Sequence, residues 1–128
     1  MHSPDTSHDI DVLLVGTDAT EQYILSNFLD FTSKITHANS YHQAQNILKT
    51  KKVGITICEA EIQGLDYRTL CKELVEKPCV FVSSRDRDTE RRKCLLKIQD
   101  CYLTRPYSLE QLLNAVSIAK KVEKATIN

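Results

Sequence analysis

The chain has no tryptophan, one methionine, three glycines and three prolines among its 128 residues. So few glycines exclude a glycine-rich phosphate loop: Gly16, Gly54 and Gly64 stand in neither a G-x-G-x-x-G nor a Walker-type spacing. An excess of one charge is also missing. Lys plus Arg number 17 and Asp plus Glu number 17, so the formal net charge is zero. That balance argues against a basic nucleic-acid module and against a polybasic membrane anchor. The longest apolar runs, Val12 to Val15 and Cys79 to Val82, are four residues each and far too short to cross a bilayer. Met1 to Asp9 are polar and lack the apolar stretch of a signal peptide.

What is present is an ordinary globular composition, with 41% hydrophobic and 27% charged residues. Its length suits one domain with one core. Five cysteines (Cys58, Cys71, Cys79, Cys94 and Cys101) contain no C-x-x-C pair, and the four histidines offer no zinc spacing. The cysteines read as reduced, buried thiols serving as small hydrophobes, with metal or redox work as the alternative. Reduced thiols without a leader place the chain in the cytoplasm as an expectation.

The hydrophobic pattern alternates between two periods. Strand-like runs fall at Ile10 to Val15, Ile35 to Ala38, Val53 to Cys58, Cys79 to Val82 and Cys101 to Leu103. Helical spacing follows each one. The predicted inner faces are Ile24, Leu25, Phe28 and Leu29; then Tyr41, Ala44, Ile47 and Leu48; then Leu70, Cys71, Leu74 and Val75. A fourth helix spans Arg85 to Ile98, and a fifth carries Leu109, Leu112, Leu113, Val116 and Ala119. Asp18 with Glu21, and Ser108 with Gln111, have the spacing of capping boxes. Strict alternation predicts an α/β fold: a parallel five-stranded sheet in a three-layer, flavodoxin-like (βα)5 sandwich. In such sheets ligands meet the carboxyl ends of the strands. The residues to weigh are therefore Gly16, Thr17 and Asp18; Glu59; Ser83 and Ser84; and Thr104 and Arg105.

Two segments carry a resemblance. Tyr102-Leu103-Thr104-Arg105-Pro106-Tyr107 precedes the last helix, and Glu59-Ala60-Glu61-Ile62-Gln63-Gly64-Leu65-Asp66-Tyr67 has the layout D-x-x-x-P-G-x-D-G. With five βα units, the chain resembles a CheY-like receiver domain of two-component signalling over roughly residues 10 to 122. The resemblance implies an Asp after strand three that takes a phosphoryl group from a kinase histidine, and Mg²⁺ held by an acidic pair after strand one. It further implies a Lys after strand five, a Ser or Thr after strand four, a switching aromatic on strand five, and an output face of helix four, strand five and helix five. Carried onto this sequence, the phosphoacceptor position is Glu59. The acidic-pair positions are Gly16 and Thr17, with Asp18 one residue on. The switch positions are Ser83 and Tyr102, and the lysine position is Arg105, followed by Pro106.

These departures shift the expectation. Mg²⁺ needs a compact set of hard oxygens, and Gly16 and Thr17 remove two carboxylates, so no cofactor and weak or absent Mg²⁺ binding are expected. Glu59 is a methylene longer than Asp, and displacement of about 1 Å is enough to spoil in-line attack. The leading reading is a degenerate receiver: a phosphorylation-independent interaction module, not an enzyme. Glu59 and Arg105 would pair across the site, Ser83 would bond to Glu59, and Tyr102 would hold one rotamer. The bland alternative leaves Glu59 and Arg105 in water. A working receiver with an atypical pocket is the second functional reading, and a flavodoxin-like small-ligand binder or enzyme is the third. Arg85 to Lys93 carries no apolar side chain and reads either as a solvated helix surface or as a charged docking edge. The expected partner is a histidine kinase or an output protein, with no nucleic acid and no membrane, and a homodimer stays open. The domain is placed at 10–124, between a disordered tail over 1–9 and a short tail over 125–128.

Overall fold

The computed structural model describes residues 9–28, 34–60, 77–84 and 102–127. Five strands, β1 (Asp9–Val15), β2 (Ile35–Ala38), β3 (Lys52–Glu59), β4 (Cys79–Ser83) and β5 (Tyr102–Thr104), form one sheet in the order β2-β1-β3-β4-β5. Every pairing is parallel. This is the predicted α/β class, and the order reverses at β1, which puts the switch point between β1 and β3. Three helices are described: α1 (Ala19–Phe28), α2 (Tyr41–Thr50) and α3 (Leu109–Ile127). The expected helices around Leu70 to Val75 and Arg85 to Ile98 lie outside the described residues, as do Cys71, Cys94 and Cys101.

Because successive strand residues face opposite sides, each strand feeds two cores. Leu13, Val15, Cys58 and Phe81 meet Tyr41 and Ala44 of α2 on one face. Leu14, Ile57, Val80 and Val82 meet Leu25 of α1 and Leu112, Ala115 and Ala119 of α3 on the other. Both faces are covered, so the central strands are apolar on both sides and β4 is buried throughout. Helix starts are locally specified. Ser40 Oγ accepts from Gln43 N at 3.1 Å, and Ser108 Oγ accepts from Gln111 N at 3.0 Å while Gln111 Oε1 accepts from Ser108 N at 2.8 Å. The latter is the predicted reciprocal box.

Two expected helix stripes differ in the structure. On α1 only Leu25 of the described apolar stripe is buried; Ile24 and Phe28 are 39% and 37% exposed. On α3, Leu109 and Leu113 are exposed, whereas Ala115 replaces them in the core. A sheet face contacts a narrower arc of a helix than the apolar stripe covers, and the flanking positions remain outside. The helical backbone of α3 runs to Ile127. Among the described residues, no helix is long and apolar enough to cross a membrane.

Gly54 of β3 lies against Asp11 of β1, and a Cβ there would stand 2.8 Å from the Asp11 carbonyl oxygen. Backbone cannot yield as a side chain can. Gly54→Ala should lower unfolding free energy by about 1–3 kcal/mol in a denaturant titration.

Candidate functional site

The carboxyl edge of the sheet brings Glu59, Ser83 and Thr104 to the ends of β3, β4 and β5. Arg105 follows β5 at once, and its backbone N–H donates to Ser83 O at 2.8 Å, which fixes the root of its side chain. From there the guanidinium reaches into the site and divides its donors. Nη2 donates to Glu59 Oε1 at 2.5 Å and to Glu21 Oε1 at 2.6 Å. Nε donates to Glu21 Oε2 at 3.1 Å, and Nη1 to Ser84 Oγ at 3.0 Å. Tyr107 completes the cluster by donating its hydroxyl to Glu21 Oε2 at 2.7 Å. The expected pairing of Glu59 with Arg105 across the site is therefore present, and the alternative with both side chains in water is excluded.

The site also contains a residue that sequence reasoning assigned elsewhere. Glu21 stands three residues after the helix cap Asp18, the spacing of a capping box. Asp18 Oδ1 does accept the Glu21 N–H at 2.8 Å. The Glu21 carboxylate, however, turns inward to Arg105 in a two-pronged arrangement that suits a planar guanidinium. With Glu59, it gives Arg105 two acidic partners where one was expected. The signal available in sequence was a charged residue, Glu21, on the same helical face as Leu25, four residues on.

The serine that meets Arg105 through its side chain is Ser84. Ser83 is fully buried in β4 and contributes its carbonyl. Tyr102 is half-buried and packs against the core on the α2 side. Arg105-Pro106 is a cis peptide. After β1, Gly16 has φ 75°, a left-handed conformation that favours glycine. Thr17 is buried, and among the described residues its Oγ1 has no hydrogen-bond partner. Asp18 is exposed and caps α1.

Burial alone would lower the affinity of Arg105 for its proton, but the hydrogen bonds and charges of Glu21 and Glu59 outweigh it and hold its pKa above the ordinary value. Burial and the Glu21 hydrogen bond likewise hold the Tyr107 phenol above its usual range. Cys58, enclosed beside Glu59, has its thiol pushed up to about 12, first by burial and then by the Glu59 charge. The donor set does not suit Mg²⁺. Glu21 and Glu59 share Arg105, Asp18 caps a helix, and a guanidinium stands against the carboxylates on which a metal would depend.

Removing Arg105 leaves two mostly buried carboxylates facing each other without a counter-charge. Arg105→Ala should cost about 2–3 kcal/mol in thermal or urea unfolding, and Arg105→Lys should recover only part of it, lacking the fork. In native protein at neutral pH, Cys58 should resist alkylation by iodoacetamide and react only after denaturation, as peptide mass mapping would show.

No protein-family model matches the chain. It is similar to the heme response regulator HssR of Staphylococcus epidermidis RP62A, 28% identical over 108 residues, covering 81% of this chain and 48% of that protein. The chain spans about half the length of the curated relatives it matches. Its fold is similar to the signal receiver domain of an HD domain-containing protein from Pseudomonas fluorescens Pf-5, with TM-score 0.74 and 18% identity over 91% of this chain and 98% of that one. It is also similar to a CheY-like response regulator receiver domain protein from Methanospirillum hungatei JF-1, with TM-score 0.74 and 14% identity over the same shares. The strand order and the likeness to these solved structures give this chain the α/β fold of a CheY-like receiver, and its sequence is similar to that of response regulators.

Proposed function

We propose that the domain works in two-component signalling as an interaction module whose pocket is held in one state by ion pairing, without phosphoryl transfer. The observation that carries this reading is the 2.5 Å bond from Arg105 Nη2 to Glu59 Oε1. At the position where the resemblance implies an aspartate nucleophile, the carboxylate is longer and already faces a permanent cation. A guanidinium holding that oxygen lowers its nucleophilicity and occupies the approach that an in-line phosphoryl group needs. Thr17 and Gly16 supply no side-chain carboxylate beside it. The charge that a bound metal and phosphoryl group would introduce is replaced by charge covalently part of the chain.

A module of this kind speaks to its partner through a standing surface. The candidate is the output face implied by the resemblance, used by a kinase or an output protein. Its described part includes α3, which leaves Leu109 and Leu113 42% and 46% exposed one turn apart. An apolar pair at that spacing suits a protein partner better than water. Arg85 to Lys93, the charged stretch considered for the same face, lies outside the described residues.

Titration of ¹⁵N-labelled protein with Mg²⁺ and then beryllofluoride tests the reading. Amide resonances of Glu59, Ser83 and Tyr102 should stay in place, with Tyr102 side-chain couplings reporting one rotamer. Saturable shifts at these residues would establish a working phosphoacceptor pocket instead.

A further inference from the structure

We infer that Glu21 is a positioning residue and that its clamp on Arg105, rather than apolar packing, is what holds the N-terminal half of α1 on the sheet. This deepens the reading of the pocket as permanently ion-paired and rests on it.

Helix α1 buries little apolar surface. Its ten residues place only Leu25 in the core as a described apolar side chain, while Tyr23, Ile24 and Phe28 remain 72%, 39% and 37% exposed. The other buried residue of the helix is Glu21 itself. By contrast, α3 on the same face buries Leu112, Ala115 and Ala119, with Val116 and Ile118 packed beside them. Isolated helices shorter than about 12–15 residues are marginal in water, so a helix of this length depends on tertiary anchors.

The space between α1 and the segment after β5 points the same way. Ile24 and Phe28 face Pro106 and Tyr107 across an open groove of about 580 Å³. Among the described residues, apolar side chains therefore do not close the seam. What crosses it is polar: Glu21 Oε1 and Oε2 bound to Arg105 Nη2 and Nε, and the Tyr107 hydroxyl on Oε2. Arg105 is itself anchored to β4 through Ser83 O and Ser84 Oγ, and to β3 through Glu59. The guanidinium thus joins α1 to β3 and β4 through side chains, and the first turn of α1 moves only if that junction opens. Any group that drew Arg105 away from Glu21 would loosen α1 before the rest of the fold.

Amide hydrogen exchange measured by NMR on the whole chain tests this. Glu21→Gln keeps the backbone cap on Asp18 but discharges the clamp. Exchange in α1 should accelerate about tenfold or more, the loss expected for a charge-assisted bond, while Leu112 to Ala119 of α3 change less than about twofold, within the small scatter expected of a distant, uncoupled site. The Arg105 Nε–H resonance, which reports its carboxylate partner directly, should move upfield. Tyr107→Phe removes one bond without touching the charges and should shift α1 exchange in the same direction by a smaller factor, so the test survives if Glu21→Gln folds poorly. Unchanged α1 exchange in both variants, or equal acceleration in α1 and α3, would overturn the proposal. Exchange is read with no phosphoryl analogue present, so failure of the tether is distinguishable from failure of the fixed-pocket reading.

Discussion

One guanidinium organises the carboxyl edge of this sheet. Arg105 satisfies a carboxylate from β3, a carboxylate from α1 and a hydroxyl from the end of β4, and its backbone is tied to β4 as well. Arginine is suited to this because its donors lie in a fixed plane and its charge persists at every relevant pH. Lysine would present a single point charge and could not address Glu21 and Glu59 in the same geometry. The constraint reaches into the chain on both sides: Arg105 must leave β5 in register with Ser83, and Tyr107 must return two residues later to the far oxygen of Glu21.

Such a junction alters what the flanking helices need to do. On the face shared by α1 and α3, the longer helix carries most of the apolar burial and the shorter one contributes Leu25. These ion pairs are mostly buried, with side-chain exposures of 26% for Arg105, 11% for Glu21 and 16% for Glu59. They are protected enough from solvent to matter, yet wet enough to avoid the full cost of burying charge. The strand ends of a parallel sheet are well placed for this, since side chains from several elements converge there.

Much of this was legible in the sequence. Alternating periods of two and 3.6 residues gave five strands with nearly correct limits, and the parallel sheet followed from the alternation. Glu59 and Arg105 were identifiable because each directly ends or follows a strand, so the topology alone brings them to the same edge. Glu21 was not, because its spacing from Asp18 offered a complete local explanation as a capping partner. Local hydrogen bonds can be read from sequence separation; a contact with a residue 84 positions away cannot. Ile24, Phe28, Leu109 and Leu113 fit the helical stripe but lie on its flanks, and how wide a stripe the sheet covers is decided by packing.

The shared arginine has an electrostatic consequence. Two carboxylates meet one guanidinium, so the cluster retains an excess negative charge at neutral pH, inside a partly water-excluded cleft where such charge is poorly screened. A phosphodonor brings further negative charge. On the reading proposed above, that residual charge opposes the approach of an anionic phosphodonor to the strand-end cleft.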